Sequence, residues 1–131
     1  MGKGRIKRYL NTYAGPPTRS LVDNLPSVTK EFPLSSSGYF GVKGSTGKVR
    51  RIKSDNPNKT ACRFFEQIAQ GAGEGKDLGD GKGIRVVLTD GTTLVYREVS
   101  SSDGSPAVDI NLVHRISSVV RSQKIHFEKG R

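Results

Sequence analysis

Three observations on this 131-residue chain predict an α+β fold: an N-terminal stretch of irregular chain and helices, then a four-stranded antiparallel β-meander packed on a helix. Apolar residues recur at helical spacing over Ala61, Phe64, Phe65, Ile68 and Ala72. From Ile84 onward the period switches to two, in four short runs. Between the first two runs stands Asp90-Gly91, a pair suited to a tight hairpin because both positions tolerate positive φ.

Residues 1–47 are punctuated by Gly15-Pro16-Pro17, Ser35-Ser36-Ser37-Gly38 and Gly44-Ser45-Thr46-Gly47, so only short elements fit there. Thr18 is expected to cap a brief helix through Leu25, stopped by Pro26, and Tyr39–Lys43 with Val49–Lys53 form a small hairpin. The clearest helix begins at Ser54 or Asp55. Pro57 favours its first turn, where a missing N–H costs nothing, and Gly71 and Gly73 end it. Gly71–Gly83 reads as a flexible connector rich in Gly and charge. It leads into strands at Ile84–Leu88, Thr93–Val99, Ala107–Leu112 and Lys124–Glu128. The chain thus divides into a basic region, 1–53, which is either part of the same domain or an arm, and an α+β core, 54–131.

Charge is the strongest compositional signal. The chain carries 22 Lys+Arg against 12 Asp+Glu, a net charge of +10. Residues 1–53 hold 11 of the basic groups and only 2 of the acidic ones, so nearly all the excess lies there. A field of this kind speeds encounter with polyanions and gives phosphate affinity that weakens steeply with salt, which points to nucleic acid. One cysteine, Cys62, excludes an internal disulfide and any multi-cysteine zinc site. No run approaches the ~18 apolar residues of a membrane span. Met1-Gly2-Lys3-Gly4-Arg5 is not followed by an apolar signal core, so export would need a signal elsewhere, for example on a larger parent chain.

A two-residue Asp90-Gly91 loop would pair Val87 with Leu94 and Arg85 with Tyr96. One face then holds Ile84, Val86, Leu88, Thr93, Val95, Arg97 and Val99; the other holds Arg85, Val87, Leu94, Tyr96 and Glu98. On the later strands Val108, Ile110 and Leu112 oppose Asp109 and Asn111, and Ile125 and Phe127 oppose Lys124, His126 and Glu128. Packing the apolar sets on the Phe64/Phe65 helix leaves Arg85, Tyr96, Asp109, Lys124, His126 and Glu128 on the far face. Arg97 has the wrong parity and would need a bulge to join them.

Half-buried antiparallel sheets ordinarily present a polar outer face. This one combines a His, cations, a Tyr and carboxylates, which are the groups that metal-free RNA cleavage requires. A base removes the 2′-OH proton, cations steady the pentacoordinate phosphate, and an acid protonates the leaving 5′-oxygen. His126 is the best candidate general acid or base, since imidazole titrates nearest neutral pH. His114 falls in a loop. The polar loop Ser100–Pro106 offers hydroxyls and backbone N–H groups for a phosphate beside Arg97. Lys48, Arg50, Arg51 and Lys53 are candidates to grip a nucleic-acid backbone. Gly41–Val49 is not a P-loop, because Val42 and Val49 stand at required Gly and Ser/Thr positions, and Asn58-Lys59-Thr60 matches a glycosylation sequon by chance.

Several segments together resemble the C-terminal toxin domains of bacterial contact-dependent inhibition and polymorphic toxin systems. These are Lys59-Thr60-Ala61 leading a Phe-Phe helix, Asp90-Gly91-Thr92, Arg97, Ser100–Pro106, Val108-Asp109-Ile110 and Lys124-Ile125-His126-Phe127. The likeness is to the barnase/EndoU/colicin/RelE-like (BECR) ribonuclease group and covers about residues 54–129. It implies a secreted endoribonuclease that needs no metal or cofactor and acts on tRNA or rRNA. It also implies delivery into a target-cell cytoplasm as part of a larger effector, and inhibition by a cognate immunity protein, the domain being otherwise monomeric. The positions it carries over as catalytic are His126, Lys124, Arg97, Asp109 and, from the Ser-rich loop, Ser101; strand parity and the basic run, not the resemblance, add Arg85, Tyr96, Lys48, Arg50, Arg51 and Lys53 as candidates to touch RNA. The rival readings are a non-catalytic RNA-binding module and a deoxyribonuclease or other metal-dependent enzyme.

Overall fold

The computed structural model describes residues 15–44, 48–79, 82–100 and 104–130. Among the described residues the fold is α+β: two helices cover one face of a seven-stranded mixed sheet. In chain order the elements are α1 (Leu21–Glu31), β1 (Val42–Lys43), β2 (Val49–Ser54), α2 (Pro57–Ile68), β3 (Lys76–Asp77), β4 (Ile84–Val87), β5 (Thr93–Arg97), β6 (Ala107–Asn111) and β7 (Ser122–Lys129). The sheet order is β1-β2-β7-β6-β5-β4-β3. After β2 the chain crosses over through α2 to the far edge and meanders back, so that β7 arrives beside β2 and parallel to it.

The expected four-stranded meander is therefore the centre of a larger sheet, β4 to β7, and not the whole of it. Six residue pairs, from Val49↔Lys124 to Ser54↔Lys129, join β2 to β7, which puts the boundary expected at 53/54 inside a strand. Residues before that boundary also supply the core: Leu21, Val28, Phe32 and Phe40 are buried with the sheet residues. The predicted 39–43/49–53 hairpin is present in shorter form, with Val42 opposite Arg51. The 71–83 connector contains the edge strand β3.

Helix α1 is capped by Ser20, not Thr18, and runs through Pro26 to Glu31. Pro26 is exposed, as is Val22, whose carbonyl loses its helical partner to the proline, so water can satisfy that group. The cap is reciprocal: Asp23 N–H donates to Ser20 Oγ at 3.2 Å, and Ser20 N–H donates to Asp23 Oδ2 at 2.9 Å. Those bonds, chiefly the one from the Ser20 backbone, hold the Asp23 carboxyl below its usual 3.8. A lowered folded value means the carboxylate's part of the box contributes fully above the ordinary carboxylate range and is lost as pH falls through the folded value. Ser20→Ala is expected to cost about 1 kcal/mol, read as a lower denaturation midpoint, and Asp23→Ala, which removes the carboxylate that accepts from Ser20 N–H, should show a gap from wild type that narrows in acid.

Helix α2 is capped by Asn56, whose Oδ1 accepts from Lys59 N–H, with Pro57 at its first position. Its apolar stripe meets the sheet as the spacing predicts. Phe64 packs edge-on against Phe32 and Phe40, both with ring centroids at 5.1 Å, and lies 5.6 Å from Phe127. Phe65 stacks on Tyr96 at 5.3 Å.

The turn between β4 and β5 departs from expectation, and the departure sets the parity of the whole sheet. Leu88 N–H donates to Thr92 O and Gly91 N–H to Leu88 O, enclosing three residues instead of two. Asp90 closes an Asx turn onto Thr92 N–H at 3.0 Å, and Gly91 takes φ +83, the combination of a turn followed by a left-handed residue. Asp90 Oδ2 also accepts from Leu21 N–H, and Arg19 O accepts from Thr89 N–H, so the turn is tied to the start of α1. Val87 consequently faces Thr93, and Ile84 faces Tyr96. Leu94 and Tyr96 move to the core, whereas Val95 and Arg97 move to the open face.

Candidate active site

On the face away from the helices, side chains line up across strands in rows. One row reads Lys76, Arg85, Val95, Asp109, Lys124 and Val49 across β3, β4, β5, β6, β7 and β2. The next reads Arg97, Ala107, His126, Arg51 and Val42 across β5, β6, β7, β2 and β1. Beyond it Glu128 stands opposite Lys53. His126 therefore sits in a frame of named neighbours: Ala107 and Arg51 to either side, with Lys124 and Glu128 two residues away along its own strand.

Four of the five expected catalytic residues share this face. Arg97 reaches it by register alone, and the bulge it was expected to need is not required. Its Nε lies 3.5 Å from Asp109 Oδ2, and its Nη1 donates to Lys82 O at 2.9 Å. Two interstrand spacings, about 10 Å, separate the backbone positions of Arg97 and His126. Ser101 lies outside the described residues. Another serine of the same loop, Ser105, makes the contact: its Oγ is 2.8 Å from His126 Nδ1, a bond in which either atom can donate. Backbone bonds Ser100 N–H to Ser105 O and Gly104 N–H to Ser100 O draw the two ends of that loop together.

His126 is 4 % exposed. Beside it Arg51 Nη1 and Glu128 Oε2 form an ion pair at 3.1 Å, with Arg51 41 % and Glu128 19 % exposed. A pair this open to water contributes about 0–1 kcal/mol, so a phosphate can take the guanidinium from Glu128 at little cost. A shallow cleft of about 380 Å³ lies between the start of α2 and the end of β7, lined by Pro57, Asn58, Ser105, Pro106, Phe127 and Glu128; His126 is not in its lining and meets it only through Ser105.

The expected RNA-touching residues divide. Arg85 is exposed on the open face. Tyr96 is fully buried beneath Phe65 and belongs to the core, a direct result of the three-residue turn. The 48–53 run is split by strand alternation. Arg51 and Lys53 join the open face, but Arg50 has the parity of Ile125 and donates to Phe40 O and Gly41 O. Its guanidinium also covers the Tyr39 ring at 4.2 Å. Lys48 precedes the strand, and its carbonyl accepts from Lys124 N–H. His114 is exposed in the β6–β7 loop.

Sequence reasoning missed the placement of Arg51 beside His126, the pairing of Glu128 with Arg51, and Ser105 as the histidine's partner. The first two follow from the parallel β2–β7 contact, for which the sequence carries no local signal. Among the described residues no three His, Cys, Asp or Glu side chains converge as a metal site, and no helix is long and apolar enough to cross a membrane. No protein-family model, curated protein or solved structure matches this chain.

Proposed function

We propose that this protein is a metal-independent endoribonuclease of the BECR type. In this reading it is the toxin portion of an antibacterial effector, cutting tRNA or rRNA in a target cell and held in check by an immunity protein. The observation that carries the reading is the frame around His126: an imidazole oriented by Ser105 Oγ at 2.8 Å, between Lys124 and the Arg51–Glu128 pair.

In the proposed reaction the RNA backbone enters over Arg51 and Lys124, and its phosphate displaces Glu128 from Arg51. A base takes the 2′-OH proton; the 2′-oxygen bonds to phosphorus as the bond to O5′ breaks; an acid returns a proton to O5′. The products are a 2′,3′-cyclic phosphate and a 5′-hydroxyl. His126 fills one of the two proton-transfer roles, and Glu128, freed from Arg51 and about 7 Å along the same strand, is available for the other. Lys124 and Arg51 neutralise charge on the phosphate, and Arg97, set by Asp109, meets a neighbouring phosphate.

One observation favours a non-catalytic RNA-binding module instead: the small exposure of His126, which is ordinary for a histidine serving only to fix a loop. With Tyr96 in the core, however, that reading loses the aromatic on which bases would stack. Expression in bacteria with end-mapping of total RNA separates the two. New RNA ends with arrested growth support the nuclease, and intact RNA with normal growth rejects it. On RNA binding, Arg51→Ala is expected to lower affinity alike for different sequences and to reduce the slope of log K against log salt by about 1.

A further inference from the structure

The loop joining β6 to β7 is long for a hairpin, and it encloses a cavity of about 430 Å³ at the Ser122 end of β7. That volume lies within the range of small-ligand sites, ~300–1,000 Å³. Its floor is apolar, with Leu112 and Val119 buried and Ile116 packed against the core. Its polar lining comprises Arg115, Arg121 and the hydroxyls of Ser37 and Ser117.

The cavity is braced by its own backbone. Leu112 N–H donates to Arg121 O at 2.8 Å, Val119 N–H to Ile116 O at 3.1 Å, and Val120 N–H to Gly38 O at 3.1 Å. Gly38 has φ +89, and a Cβ there would sit 2.8 Å from Val120 N, so the neighbouring loop approaches as closely as only glycine permits. Arg121 spends one donor on Val113 O at 3.3 Å, and a guanidinium has five N–H groups.

An apolar floor beside two guanidinium groups and hydroxyls matches the two halves of a nucleotide, a flat base and a phosphate dianion or diester. We propose that this cavity is a nucleotide subsite that seats one residue of a single-stranded RNA, its base over Leu112, Ile116 and Val119 and its phosphate at Arg115 and Arg121. The proposal rests on the RNA reading given above. Ser122, at the mouth of the loop, is four residues from His126, about 13 Å along β7, a distance that a few nucleotides of extended RNA span. Leu112 has the core-side parity of Ile110, so an RNA held here reaches the face of His126 by passing round the Ser122 end of β7.

The test is fluorescence anisotropy of a labelled 12-nucleotide single-stranded RNA, 2′-O-methylated to prevent cleavage, on the full chain. The variants are Arg115→Ala/Arg121→Ala and a control of equal charge loss at exposed sites elsewhere, Lys30→Ala/Lys59→Ala. A third variant, Ile116→Asp, attacks the floor without touching the arginines, and circular dichroism checks the fold of each. At least a tenfold loss of affinity for the arginine pair and for folded Ile116→Asp, with less than threefold for the control, is expected. Titration with uridine monophosphate should in addition shift the Ile116 and Val119 methyl resonances. Equal losses in the arginine pair and the control would overturn the subsite while leaving RNA binding intact. Failure of wild type to bind the RNA would overturn the underlying RNA reading, and nucleotide binding without RNA binding would identify a free-nucleotide site and reject the RNA subsite.

Discussion

His126→Gln is expected to lower RNA cleavage by about 10²–10⁴-fold, the range that one general acid or base contributes, with an unchanged circular dichroism spectrum. Glutamine is close to histidine in size and keeps a group able to bond Ser105 Oγ, so the tie between β7 and Ser105 is retained. His126→Ala should lose the same activity and in addition stability, because it removes that bond and leaves a void in a site only 4 % exposed. The contrast between the two variants separates proton transfer from loop anchoring. A glutamine variant that cleaves like wild type would assign His126 a purely structural role.

Phe64→Ala is expected to destabilise the fold by about 3–5 kcal/mol, a large share of the ~5–15 kcal/mol that holds a domain of this size together. Phe64 is fully buried and touches three aromatic rings from three different parts of the chain: Phe32 after α1, Phe40 before β1 and Phe127 in β7. Truncating it opens the junction between the N-terminal region and the sheet, so thermal or urea unfolding should remain a single transition at a lower midpoint. Two separate transitions would contradict the shared core and restore residues 15–53 as an arm. Tyr96→Ala should act in the same way, through lost stacking on Phe65, with no separate effect on RNA affinity in the folded protein.

The helix and the four central strands were legible because their periodicity is local. Phe64, Phe65 and Ile68 lie on one side of any helix built from this stretch, and Ile125 and Phe127 lie opposite His126 in any strand. The face of β5 was not legible in the same way. Thr93-Leu94-Val95-Tyr96-Arg97 has apolar residues at both parities, so the choice fell to the turn, and the Asp90 side chain's bond to Thr92 N–H turned two loop residues into three. Choosing Leu94 and Tyr96 for the core, to match Ile84, Val86 and Leu88, would have given the observed register. Pro26 misled for a different reason: its cost falls on a carbonyl at an exposed position, where water offsets it. The parallel β2–β7 contact joins residues about 75 apart through side chains that any strand might carry, and it is what brings Arg51 to His126.

Purified wild-type protein and His126→Gln, each incubated with total bacterial RNA in excess EDTA and followed by chemical identification of the new ends, test the central claim most directly. The account predicts 2′,3′-cyclic phosphate and 5′-hydroxyl ends from the wild type, and their loss in the variant. Intact RNA with wild type, cleavage that EDTA abolishes, or equal cleavage by both proteins would contradict it.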